Sequence, residues 1–73
     1  MEHVQSFWRM VAPSRRLIIC ALYRTALGLE LRAGEGEADR WLSVRVDTQR
    51  TGENWASIWK AAAESQGFTE FSH

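Results

Sequence analysis

Apolar residues occur in four bursts along the chain, each with its own period. Val4, Phe7, Trp8 and Val11 stand at i, i+3, i+4 and i+7, while Glu2, Gln5, Ser6 and Arg9 fall elsewhere; that is the spacing of one helical face. The spacing predicts a short N-terminal helix or arm over residues 1–12, closed by Pro13, which disfavours helical backbone at Ala12. Some ten residues make a marginal helix without tertiary support. Its apolar face must therefore dock on the domain's own sheet, on a partner chain or on a second copy.

The second burst, Leu17-Ile18-Ile19-Cys20-Ala21-Leu22, is unbroken and continues through Tyr23-Arg24-Thr25. A turn near Ala26 to Gly28 leads into the alternating Leu29-Glu30-Leu31-Arg32-Ala33, so residues 16–33 read as a β-hairpin. Gly34-Glu35-Gly36-Glu37-Ala38-Asp39 suits a solvated turn. In Trp41-Leu42-Ser43-Val44-Arg45-Val46-Asp47, Leu42, Val44 and Val46 share one side and Trp41, Ser43, Arg45 and Asp47 the other. Such alternation predicts a sheet with one buried and one open face. The last element is a helix from Thr48 or Thr51 to Gln66, with Trp55, Ile58, Trp59 and Ala62 as its apolar stripe and Glu53, Lys60 and Glu64 off it. Gly52 weakens its start, and Gly67 followed by Phe68 reads as its stop. The expected fold is α+β: an N-terminal helix, a three-stranded antiparallel meander over residues 16–47, a helix over residues 48–67 packed on one sheet face, and a frayed tail over residues 68–73.

The pattern Ile19-Cys20-Ala21-Leu22-Tyr23-Arg24-Thr25, then Gly28-Leu29-Glu30-Leu31-Arg32, then Trp59-Lys60-Ala61-Ala62 and Gln66-Gly67-Phe68, resembles a group of short, uncharacterised bacterial proteins. The likeness covers about residues 16–68. It implies a sheet-plus-helix unit and no particular function.

Size sharpens the picture. Seventy-three residues allow a single domain whose core lies near the lower limit of independent stability. Trp8, Trp41, Trp55 and Trp59 are accordingly read as core or subunit interface before they are read as ligand stacks. Formal net charge is zero, which argues against broad charge-driven binding to nucleic acid or an acidic membrane. Residues 1–33 carry five arginines against Glu2 and Glu30, whereas residues 34–73 carry seven acids against four bases, a weak pointer to charged faces. Eight of the nine basic residues are arginine, suited to bidentate contact with carboxylate or phosphate.

The single cysteine, Cys20, sits inside the apolar run, so the expectation is a buried, reduced thiol and a cytoplasmic setting. That run is too short to span a membrane. Ser14-Arg15-Arg16-Leu17 looks superficially like a twin-arginine export signal, but no long apolar region follows.

No catalytic constellation emerges. His3 and His73 lie at the two ends, so a Cys20 and histidine pair would join a strand to a tail. No close Cys or His pair offers a metal site, and Glu35, Glu37 and Asp39 lack the following bidentate glutamate of a calcium loop. Gly34-Glu35-Gly36 would set carboxylates against a phosphate. The expectation is a protein with neither enzymatic activity nor cofactor.

Two functions follow. The first is a small protein-binding module acting by surface occlusion, similar in kind to phage-encoded inhibitors such as anti-CRISPR proteins. It would use Glu35, Glu37 and Asp39 as an acidic patch, Arg24, Arg32 and Arg45 to grip an acidic partner, and Trp8 as an apolar anchor. The alternative is a small nucleic-acid-binding domain using the open sheet face, with Arg24, Arg32, Arg45 and Arg50 on phosphates or base edges beside Tyr23, and with Glu30 and Asp47 on that face counting against it. A homodimer, through the N-terminal helix or a sheet edge, is compatible with either.

Overall fold

A computed structural model describes residues 1–35 and 40–71, with Arg40 described in its backbone alone. The chain runs β1 (Glu2–Val11), β2 (Leu17–Thr25), β3 (Gly28–Gly34), β4 (Arg40–Val46), α1 (Gln49–Ser65) and β5 (Thr69–Glu70). Among the described residues these form one five-stranded antiparallel sheet in the order β4-β3-β2-β1-β5, with α1 against one face.

Two expectations are corrected. The N-terminal third is not a helix but β1, and the sheet has five strands rather than three. The cause lies in the register of β1 against β2. His3 pairs with Tyr23 and Gln5 with Leu22, then Ser6 with Ala21 and Trp8 with Cys20. Val4 and Phe7 are thus extra residues, each at a β-bulge. Two bulges three residues apart convert a period of two into the 3–4 spacing of a helix. Pro13 stops no helix: Ala12 to Arg16 form the β1–β2 turn, closed by Arg15 N–H to Ala12 O (2.8 Å) and Ala12 N–H to Arg16 O (2.9 Å). Arg15 adopts a left-handed backbone there (φ 71°).

The tail is corrected too. Gly67 (φ 92°) reverses the chain after α1, with Phe68 N–H reaching Ala63 O and Gly67 N–H reaching Glu64 O, both at 3.1 Å. This double bond is the Schellman stop, and it aims the following residues back along the sheet. Thr69 and Glu70 then pair with Val11 and Met10, and Phe71 N–H bonds Arg9 O. At the other end of α1, Thr48 Oγ1 accepts from Thr51 N–H at 3.1 Å, as an N-cap should.

The core lies between sheet and helix. Trp8 and Met10 of β1, Ile18, Cys20 and Leu22 of β2, Leu31 and Ala33 of β3 and Val46 of β4 close over Ala56, with Trp59, Ala63 and Phe68 packed beside them. The helix turns its smallest side chains inward, Gly52 and Ala56 being its buried residues. The apolar stripe expected from the sequence is therefore rotated: Trp55 and Ile58 are exposed. Close approach explains the choice, since a Cβ on Gly52 would stand 3.2 Å from Leu22 Cδ1. Deeper along α1, Trp8 Nε1–H donates to Ala56 O at 2.8 Å, tying β1 to the middle of the helix.

Trp8→Phe, which keeps an aromatic ring but not the donor, is expected to lower unfolding stability by about 1–2 kcal/mol in urea titrations. Gly52→Ala should change stability by less than about 1 kcal/mol, because improved helix propensity is offset by the Leu22 contact, whereas Gly52→Val should cost about 2 kcal/mol or more.

Candidate protein-docking face

The second face of the sheet is covered by no described element. Strand pairing places His3, Tyr23, Glu30 and Arg45 in one row across β1, β2, β3 and β4, and Ser6, Ala21, Arg32 and Ser43 in the next. Arg9 and Ile19 follow, then Val11 and Leu17. Every outward residue of β2 from Leu17 to Tyr23 is thus apolar or aromatic, and so is its inward set of Ile18, Cys20 and Leu22. This explains the unbroken run: a strand reading as continuous hydrophobe is one that has apolar neighbours on both sides.

Side chains of the face itself partly close over this column. Tyr23 is 7 % exposed and Ala21 1 %, whereas Leu17 is 37 % exposed. The His3 ring stands edge-on to Tyr23 at a centroid distance of 5.7 Å, and His3 Nε2 lies 2.8 Å from Ser6 Oγ. The Arg32 guanidinium sits 5.7 Å from the Tyr23 ring centroid while its Nε–H bonds the Glu30 carboxylate. Near the β5 edge, Arg9 lies over the Phe71 ring at 5.4 Å. A dish of about 440 Å³, lined by Ser6, Phe7, Trp8, Arg9 and Ile19, opens beside the second bulge. Within the strands the described charges of this face are Arg9, Arg32 and Arg45 against Glu30, a net of +2.

Four of the residues selected from the sequence, Tyr23, Glu30, Arg32 and Arg45, come together here. Arg24 does not: it alternates to the helix side of the sheet and pairs with Glu2 Oε1 at 2.9 Å. Glu35 lies at the bend after β3, 3.4 Å from Arg16 Nη1, and Trp8 belongs to the core. Glu37, Asp39 and His73 lie outside the described residues. The sequence reading missed Arg9, Val11, Leu17, Ile19 and Phe71. For Leu17 and Ile19 the signal was present in the unbroken apolar run of β2, whereas Arg9, Val11 and Phe71 join the face only through the pairing of β1 with β2 and β5.

Among the described residues, thiol and imidazole do not converge. Cys20 lies on the helix side and His3 on the opposite face, so the sheet separates thiol from imidazole. Burial pushes the Cys20 thiol up to about 12, far from the thiolate that nucleophilic chemistry needs. Among the described residues no three His, Cys, Asp or Glu side chains cluster as metal ligands, and no helix is long and apolar enough to cross a membrane. No protein-family model, curated protein or solved structure matches the chain.

The Cys20 thiol generates a pH dependence. Its ordinary value of 9.0 applies to the unfolded chain and about 12 to the folded one, so only the unfolded state releases the proton between these limits. Stability is expected to be unaffected by this group below pH 9 and to fall by up to about 1.4 kcal/mol per pH unit above it. Urea titrations of the parent and Cys20→Ala across that range check it, since the variant should lack this component. A thiol reagent should correspondingly label Cys20 only on unfolding.

Proposed function

We propose that the protein is a non-catalytic protein-binding module whose working surface is the open face of its sheet. One observation carries this reading: β2 is apolar on both sides, yet α1 covers only one of them. Apolar side chains surrounded by Arg and Tyr make the composition of protein interfaces, in which large aromatic and guanidinium groups contribute most of the affinity. Charge selects the partner's chemistry. With three arginines against one glutamate among its described side chains, the face opposes a copy of itself and favours a protein surface with an apolar centre and carboxylates at its rim.

Arg32 already holds Glu30 and lies over Tyr23. That engagement favours protein docking over the nucleic-acid reading, which would draw such arginines onto phosphates.

Photo-cross-linking in cells tests the proposal. A photoreactive residue at position 17 should give one discrete protein adduct, and one at position 64, on the outward side of α1, should not. Arg9→Glu with Arg45→Glu should abolish the adduct while circular dichroism stays unchanged. Absence of any discrete adduct at position 17 would overturn the reading. So would tight binding of purified protein to DNA or RNA with a steep salt dependence.

A further inference from the structure

The rotated stripe of α1 leaves a second uncovered surface, separate from the open sheet face. Gly52 lies over Leu22 and Val46, whereas the far end of α1, beyond Ala56, packs with Trp8 and Phe68. The helix leaves the corner where β4 begins exposed. There a register shift between Ala33 and Gly34 makes Trp41 an extra residue, and Trp41 joins Leu42 at the mouth of a cleft of about 180 Å³ shared with Trp59 and Ala62. Beside it the flank of α1 presents Trp55 and Ile58. Exposures are 45 % for Trp41, 49 % for Leu42, 38 % for Trp55 and 57 % for Ile58.

We infer that this corner and helix flank form the interface of a two-fold homodimer, α1 packing antiparallel against α1 of a second copy about Ile58. Three features select a second copy. Shape is self-complementary, because antiparallel packing about Ile58 sets Trp55 of one copy over Ala61 and Ala62 of the other, a large side chain on small ones. Charge is compatible: Thr51, Asn54, Trp55, Ile58, Ala61, Ala62 and Ser65 line the flank without an ionised group, while Lys60 turns away to Glu70. On α1 itself, Arg50 falls in this arrangement beside residues 66 and 67 of the other copy, at the negative end of that helix's dipole, which attracts a cation.

Area is the third. An aromatic side chain buries about 150–250 Å² when covered and Leu or Ile less, so the half-exposed four contribute at most about 400 Å² per copy and about 800 Å² per dimer. A standard interface buries about 1,600 Å² in total, of which a little over half is apolar. The four side chains alone nearly supply that apolar share.

Sedimentation equilibrium on the purified full chain decides the matter independently of any partner on the open face. A dimer mass is expected, with Ile58→Glu weakening the dimer about 30-fold or more at unchanged circular dichroism. Ile58→Cys should form an intermolecular disulfide on mild oxidation and Glu64→Cys should not. A monomer up to about 0.5 mM, or a dimer untouched by Ile58→Glu, would overturn the inference. Weakening by Leu17→Glu in place of Ile58→Glu would move the contact to the open sheet face, also against it. The outcomes at Ile58 leave the cross-link expected from position 17 untouched, whereas a Leu17→Glu effect would make that adduct a self-adduct and so separates the two failures.

Discussion

A central strand that is apolar on both sides sets the terms for everything around it. Leu17 to Tyr23 of β2 contribute Ile18, Cys20 and Leu22 to the core and Leu17, Ile19, Ala21 and Tyr23 to the opposite face. A helix can cover only one face of a sheet, and in a chain this short nothing else among the described elements covers the other. The second face is instead partly closed by its own long side chains, Arg32 reaching over Tyr23 and His3 meeting it edge-on. This is a partial solution: Ala21 and Tyr23 are buried, but Leu17 is not. Folding and the proposed binding thus share one cause, the surplus of apolar surface on a single strand.

The helix side shows the opposite economy. Gly52 and Ala56 let α1 come down onto Leu22, and the Trp8 indole reaches across to Ala56 O. A small-residue face permits close approach and a buried hydrogen bond, which together fix where the helix lies. The large residues that a core would ordinarily use, Trp55 and Ile58, are displaced to the flank. Close packing on one side of α1 and exposure on the next are therefore two consequences of the same choice of inward residues.

Much of the architecture was legible in the residues. The hairpin around Gly28, the alternating strand at 41–47 and the helix with its Gly67 stop all lie within a residue or two of where local pattern puts them. Turn chemistry and periodicity act locally, so they can be read locally. The N-terminal strand was not legible because two bulges, at Val4 and Phe7, imitate helical spacing; the pairing that creates the bulges is with a strand fifteen or so residues away in sequence. Of the surface, Tyr23, Glu30, Arg32 and Arg45 were correctly grouped by alternation, while Arg24 was placed with them although its parity puts it on the other side.

The sequence by itself determined the local elements from β2 onward, the double-sided hydrophobicity of β2 and the absence of a histidine near Cys20 along the chain. Only the tertiary structure decided that β1 is a strand, that the tail returns as β5, and which stripe of α1 meets the sheet. The physical reason is that backbone propensity and turn residues are encoded by neighbours in sequence, whereas bulges, helix rotation and the covering of a face depend on which distant side chains leave room. Trp55, Ile58 and Trp59 look equivalent on a helical wheel. Only the depth of the sheet beneath Gly52 and Ala56 separates the one that is packed from the two that are exposed.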